Sequence, residues 1–299
     1  MARSMAIVER VSPAAGLLLA ALLTLAACRG AVVSQARVRV LSLNAWMLPS
    51  FSKLMAERLA RLPTALKAQT PDVICLQEIW TPSARAQIVE ALAPDFHASS
   101  AVRGGLVTLS RSPIVEQEFL PFPVTKGLTL QELIAGKGIL LTVLEVPGGR
   151  LRVANTHLAW DPKPDGARTL QLAFLRKTLA PLTDLPLLLA GDLNTALSRD
   201  DGAPTADGAA LAALGLAHAD PLAGQRLGDL PTATARSSLV PTRVGWPPRP
   251  ESGWAPDHIL FRDGLWRTVL ARDYRVLFAT SDEALSDHRG LCVDIMLAP

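Results

Sequence analysis

Acidic, amide and imidazole residues recur along this chain, each at the exit of an apolar run. In order they are Asn44, Gln77-Glu78, Asn155-Thr156-His157, Gly191-Asp192-Leu193-Asn194, Asp257-His258 and Ser286-Asp287-His288. Hydrolysis of a phosphate ester draws on these groups: a carboxylate to hold Mg²⁺, imidazoles to move protons, amides to hold oxygens. No single piece decides the matter. Glu78 at a strand end also reads as a solvated glutamate, Asn44 as a turn former, and Asp287-His288 as a cap or turn. The ordered set carries the argument, and three of the chain's five histidines, His157, His258 and His288, belong to it.

The local spacing adds detail. Gly191 permits a tight exit from an apolar strand, after which Asp192 and Asn194 project to one side under strand alternation. A carboxylate beside an amide suits orienting a water and stabilising a pentavalent phosphorane. Asp257 is a candidate to orient one of these imidazoles, which would fix its tautomer and raise its basicity.

Positioning these groups requires strands that end at one place. Val38, Val40 and Leu43 lie in a strand-like run before Asn44. Met55, Leu59, Leu62 and Leu66 follow helical spacing, with Pro63 as a kink or restart. Residues 72–77, 106–110, 139–146, 151–156 and 187–190 read as strands, and Pro147-Gly148-Gly149-Arg150 as the turn of a hairpin. Thr81-Pro82 reads as an N-cap and first helical position opening a helix to Leu92, with further helices over 167–179 and 207–214. Late strands cover 259–261 and 291–297. Strands and helices mix throughout, so mixed sheets are expected. The Gly-, Pro- and Ser/Thr-rich stretches 200–208 and 222–256 read as long surface loops.

Taken together, these motifs resemble the endonuclease/exonuclease/phosphatase superfamily of metal-dependent phosphoesterases, over roughly residues 37–297. The resemblance implies an α/β fold, a four-layer sandwich with two central mixed β-sheets flanked by helices, its site open at the strand ends. A narrower likeness is to neutral sphingomyelinases. It is carried by Leu43-Asn44-Ala45-Trp46-Met47-Leu48-Pro49, Glu57-Arg58-Leu59, Gln77-Glu78-Ile79-Trp80, Gly104-Gly105-Leu106 with Ser110-Arg111-Ser112-Pro113-Ile114, and Gly136-Lys137-Gly138-Ile139. The resemblance implies Glu78 as the principal Mg²⁺ ligand, Asn44 beside it and Asp287 nearby, with Mn²⁺ or another divalent ion as alternatives. It implies His288, polarised by Asp257, as the base for the attacking water. Asp192 and Asn194 position that water and the phosphoryl oxygens, and His157 stabilises the transition state or assists the leaving group. Lys137 contacts the phosphate or headgroup, or is a solvated strand-end lysine. Position 258 departs from the pattern, being histidine where relatives often have tyrosine. No long aromatic hairpin for entering membranes is evident, leaving Trp246 and Trp254 as membrane-facing or loop-packing residues.

The 299 residues are 49% apolar, enough for a large core. A net charge of +3 and a single tyrosine, Tyr274, argue against a dedicated nucleic-acid surface. Residues 1–27 read as a signal peptide: Arg3 and Arg10 flank a basic start, and an apolar run from Ala14 to Ala27 follows. It ends in Leu25-Ala26-Ala27-Cys28, which resembles the lipobox of bacterial lipoproteins, with plain signal cleavage near Ala27 as the alternative. Acylation of Cys28 anchors the chain stably at a membrane. Residues 28–36 then form a tether and 37–299 the catalytic domain. Arg29, in place of aspartate, favours the outer membrane. Cys75 and Cys292 read as buried core residues, with a disulfide between them left open.

The expected protein is a monomeric, exported Mg²⁺-dependent phosphodiesterase acting on sphingomyelin or a related phospholipid. A nuclease or a phosphomonoesterase on the same scaffold is the alternative, and a non-catalytic surface-anchored binding module is a further one.

Overall fold

The computed structural model describes residues 36–101, 103–123, 128–160, 166–199, 202–219, 232–233, 239, 255–265, 268–278 and 284–298. Cys28, the signal segment, Trp246 and Trp254 lie outside them.

In chain order the elements are β1 (Ala36–Met47), α1 (Met55–Ala68), β2 (Val73–Ile79), α2 (Pro82–Leu92), β3 (His97–Ser100), β4 (Val107–Ser110) and β5 (Ile114–Pro121). There follow α3 (Leu130–Ala135), β6 (Gly138–Val146), β7 (Gly149–His157), α4 (Ala167–Leu179), β8 (Leu187–Asp192) and α5 (Ala206–Ala212). The last are β9 (Ala217–His218), β10 (Asp257–Arg262), β11 (Thr268–Leu277) and β12 (Gly290–Ala298). They build two six-stranded mixed sheets, in the orders β11-β12-β1-β2-β4-β3 and β5-β6-β7-β8-β10-β9.

Strand alternation assigns the layers. Val38, Val40, Val73 and Cys75 of the first sheet meet Val153, Leu188, Ala190 and Ile259 of the second in the core between the sheets. The intervening Leu41, Leu43, Ile74 and Leu76 point the other way, onto Leu59, Leu62 and Leu66 of α1 and Ile88 and Leu92 of α2. Leu187, Leu189 and Leu260 of the second sheet pack onto Leu172, Leu175 and Leu179 of α4. The central strands are buried on both faces, which is why they read as unbroken apolar runs. The four layers are those expected: helices, sheet, sheet, helices.

Each sheet has one parallel pair at its centre, and both pairs end at the site. In the first, Asn44 lies opposite Gln77. In the second, His157 lies opposite Asp192, and antiparallel β10 brings Asp257 to the other side of Asp192. Gly191 makes this close packing possible. It sits at φ 144°, and a Cβ there would run into the Thr156 carbonyl oxygen of the neighbouring strand.

α2 and α4 match the expected bounds closely, and Thr81 caps α2 by accepting from the Ala84 amide at 3.1 Å. Pro63 neither ends nor restarts its helix; α1 continues through it to Ala68. The stretch from 200 is only partly loop, since α5 begins at Ala206, capped by Thr205. Unforeseen were β3, β5, α3, β9 and β11. Cys75 and Cys292 are buried free thiols, and burial pushes the Cys75 thiol up to about 12.

Candidate active site

Asn44, Glu78, His157, Asp192, Asp257 and His288 converge from five strands and one loop. At the centre is a single amide. Asn44 Nδ2 donates to Glu78 Oε1 and to Asp192 Oδ2, both at 2.9 Å, while Asn44 Oδ1 accepts from the Trp46 amide at 3.0 Å. Two carboxylate oxygens from different sheets thus face each other across one nitrogen. In this arrangement Asn44 braces the carboxylates through its amide nitrogen; acting as a metal ligand through oxygen would require the side chain to turn over. Glu78 is held further by Trp80, whose Nε1 donates to Oε2 at 3.1 Å. The Glu78 backbone sits at φ 59°, unusual for a residue other than glycine and a sign that the strand end is constrained to aim this carboxylate.

Asp192 is almost fully buried. Its Oδ1 accepts from the Asn194 amide at 2.8 Å, and its Oδ2 lies 3.5 Å from His157 Nε2 and 4.0 Å from His288 Nε2. Burial, then the charge of Asp257, pushes the Asp192 carboxyl up to about 7, against the pull of His288 and the Asn44 hydrogen bond.

His288 Nδ1 lies 2.8 Å from Asp257 Oδ2, which also accepts from Thr232 Oγ1 at 2.5 Å. Burial works to lower the His288 imidazole, but it is outweighed by the charge and hydrogen bond of Asp257 and the charges of Asp287 and Asp192, which raise it to about 10. His288 therefore carries a proton at neutral pH while these carboxylates are unbalanced. His157 is the opposite case: burial, then the charges of Lys137 and His288, hold it well below the usual imidazole range.

Lys137 is not solvated. It is buried, donates to Glu132 Oε1 and to the Leu158 carbonyl, both at 3.0 Å, and lies 3.1 Å from His157 Nε2. An ammonium only donates, so His157 Nε2 accepts, and the ring proton falls on Nδ1, a buried atom with no partner. Lys137 and Glu132 also line a cavity of about 710 Å³ whose walls include Phe119, Phe122, Leu133 and Leu140.

The donors present fit a hard divalent cation. Glu78, His157 and Asp192 offer ligand atoms within 4.8 Å of one another, and Asp192, Asp257 and His288 do the same. The fit rests on two facing carboxylates that share one amide hydrogen-bond donor, a surplus of buried acceptors that a cation would balance.

The remaining sequence candidates divide. Asn194 lies at φ 51° beside Asp192 and donates through Nδ2 to the Leu158 carbonyl at 2.9 Å, which ties two strand ends together. Asp287 is buried, belongs to neither donor group, and acts electrostatically on His288 and Arg58. His258 does not join the cluster. It points to the opposite face of β10 from Asp257, with Nε2 2.8 Å from the Thr195 carbonyl and Nδ1 3.2 Å from His218 Nε2. Gln77 and Asn155 also face away from the chemistry: Gln77 Nε2 donates to Asn155 Oδ1 at 2.8 Å, clasping the two sheets together. Thr232 and Arg58 are contributors that sequence reasoning missed. Thr232 lies in a stretch read as surface loop, and no signal marks it. Arg58 stands in the Glu57-Arg58-Leu59 segment, which carried the resemblance without assigning this arginine a role.

An inositol phosphosphingolipids phospholipase C of Schizosaccharomyces pombe is 31% identical over 130 residues, covering 40% of this chain and 31% of that protein. Human sphingomyelin phosphodiesterase 2 is 28% identical over 134 residues, covering 41% of this chain and 31% of that one. The chain therefore matches about a third of the length of these relatives. In fold it is similar to Danio rerio TDP2, solved with a single-strand DNA product, at TM-score 0.66 and 20% identity over 87% of this chain and 98% of that one. The Endonuclease/Exonuclease/phosphatase family profile matches residues 41–288, from the first strand to the buried His288, and the chain belongs to that family.

Proposed function

We propose that this chain is a divalent-metal-dependent phosphodiesterase that cleaves a phospholipid of the sphingomyelin type on the lipid-alcohol side of its phosphate. The observation that carries the hydrolytic part is the pair of carboxylates, Glu78 Oε1 and Asp192 Oδ2, bridged by Asn44 and flanked by His157 and His288. Support for a lipid comes from the mainly apolar cavity against Lys137 and from the sphingolipid-directed relatives.

Glu78 and Asp192 would hold Mg²⁺ or Mn²⁺, with Asn44 bracing both. A bound cation would supply Lewis-acid polarisation of the phosphoryl group and would offset the charge of Asp192, one of the carboxylates that raise His288. His288, aligned by Asp257 through Nδ1, presents Nε2 toward Asp192 and takes the proton of the attacking water. The water oxygen bonds to phosphorus as the bond from phosphorus to the lipid oxygen breaks, and that oxygen leaves with a proton. Asp192, holding the cation, would stay ionised, so the proton on the leaving oxygen comes from solvent and the one taken up by His288 returns there. His157 is held neutral with Nε2 accepting from Lys137, so it supplies no proton and instead orients that ammonium beside the carboxylates. Lys137 supplies the positive charge.

Acylation of Cys28 and export to the outer membrane belong to the same proposal. They would hold this site at a lipid surface, and they stand on the lipobox-like segment.

The test is a panel of sphingomyelin, phosphatidylcholine, plasmid DNA and an inositol phosphate, each with Mg²⁺ and with excess EDTA. The expected result is release of a phosphorylated headgroup from lipid vesicles that stops in EDTA. Rapid nicking of plasmid without lipid cleavage would replace the lipid with nucleic acid, and undiminished turnover in EDTA would remove the metal.

A further inference from the structure

We infer that Arg58 is a positioning residue that holds the two banks of the active site at their working separation, by tying the segment that carries Asn44 to the segment that carries Asp287 and His288. The inference rests on the phosphodiesterase reading above. The β1–β12 ladder ends at the pairing of Ser42 with Leu291, short of both Asn44 and His288. From there on, the two segments are no longer joined by that ladder. Arg58 takes over at this point. From α1 its guanidinium makes four hydrogen bonds, all to backbone carbonyls and all at 2.8 Å. Nη1 reaches both Ala45 and Leu285, Nη2 reaches Trp46, and Nε reaches Lys53. Ala45 and Trp46 directly follow Asn44, and Leu285 directly precedes Ser286-Asp287-His288.

The choice of arginine follows from the geometry. The four carbonyls are met by three nitrogens of one rigid plane, a fork that a lysine ammonium cannot reproduce. The residue is 2% exposed, and its carbon Cζ lies 5.2 Å from the Trp46 ring centroid, so the cation also sits over an aromatic face. A buried cation is costly unless its hydrogen bonds are met, and here carbonyls meet them. Burial lowers the Arg58 guanidinium from its usual range, and the charges of Asp287 and Glu78 pull it back. The cation thus lies within the field of the site carboxylates without sitting among them.

Displacement of a reacting group by 1 Å costs about 100-fold in rate even when the mutated residue is remote. Arg58→Lys and Arg58→Ala, assayed with Mg²⁺ on sphingomyelin vesicles and on bis(p-nitrophenyl) phosphate, are expected to lose kcat by about 100-fold with KM within about threefold. Millimolar guanidinium chloride is expected to restore Arg58→Ala at least about tenfold, while methylammonium at equal concentration does not. If Arg58→Ala does not fold, Arg58→Lys decides. A folded Arg58→Lys enzyme with wild-type kcat overturns the inference. Crystal structures of wild type and Arg58→Lys give a readout independent of activity. Residues 285–288 are expected to move relative to Asn44 by about 1 Å, and an unmoved segment overturns the strap. Should the wild type hydrolyse neither substrate, the phosphodiesterase reading fails, and the structural comparison still decides the strap.

Discussion

The two ends of the sandwich treat buried charge in opposite ways. At the site end, Glu78, Asp192, Asp257 and Asp287 crowd together with two imidazoles, and Asp192 is pushed up to about 7 while His288 is pushed up to about 10. At the far end, carboxylates meet arginines. Asp294 accepts from Arg39 Nε at 2.6 Å and from Nη2 at 2.9 Å, and the hydrogen bond to Arg39 holds its carboxyl below the usual range despite its burial. Asp184 meets Arg152 at 2.6 Å. The same strands β1 and β8 run between the two ends. One end is arranged for stability and the other carries electrostatic stress that a substrate or cation would relieve, as expected where stability is traded for function.

The largest effect should come from removing His288, the proposed base. His288→Ala is expected to lower kcat by about 10²–10⁴-fold in the Mg²⁺-loaded enzyme, and retention of activity in a folded protein would dismiss His288 from the reaction. Its charge also has a stability signature. The folded-state value lies above the unfolded one near 6.5, so the contribution of His288 is fully present below about pH 6.5 and lost as pH rises toward about 10. Chemical unfolding of the metal-free wild type and His288→Ala across pH 6–10 measures it, the gap narrowing as pH rises.

Asp192→Asn sharpens the contrast, because activity and stability should move in opposite directions. Loss of this carboxylate is expected to remove nearly all turnover yet stabilise the metal-free protein at pH 8. Raising a carboxyl from its ordinary value to about 7 corresponds to on the order of 4 kcal/mol. The amide would disturb the contacts with Asn44 and the Asn194 backbone, so a net gain of about 1–2 kcal/mol is expected. The penalty removed is full above about pH 7 and absent below about pH 4, so the gain should vanish on acidification. A destabilised Asp192→Asn protein at pH 8 would show that the site end is not under this stress.

The contrast also explains what could be read from the sequence. Central strands such as β8, buried on both faces, announce themselves as apolar runs, and the polar residues ending them, Glu78, His157 and Asp192, stand out for the same reason. Edge strands give no such signal. β5 runs Ile114-Val115-Glu116-Gln117-Glu118-Phe119, mostly exposed, and it was missed, as was β11 at the edge of the other sheet. Within a polar motif, one dimension of sequence does not reveal direction. Gln77 and Glu78 are adjacent, yet one clasps the sheets and the other faces the cluster. Asp257 and His258 divide in the same way across β10. Thr232 and Arg58 were illegible because their roles depend on which carbonyl or carboxylate folds against them.

At the far end the signs should reverse, and the effects should shrink with exposure. Asp294→Asn is expected to cost about 1.5–3 kcal/mol at pH 7, since Asp294 is nearly buried and accepts charge-assisted hydrogen bonds. Its carboxyl is depressed in the fold, so that contribution is present above the unfolded value near 4 and lost as pH falls through the folded one. Asp184→Asn removes a pair of equal length, but the Asp184 side chain is 60% exposed, and solvent screens it. The expected cost is about 0.2–1 kcal/mol, reduced further by 1 M salt, with kcat unchanged in both variants. Denaturant titrations at low and high salt separate the two. An Asp184→Asn loss as large as that of Asp294→Asn would mean that burial is not what sets the value of these ion pairs, and the contrast between the two ends would then have to rest on geometry alone.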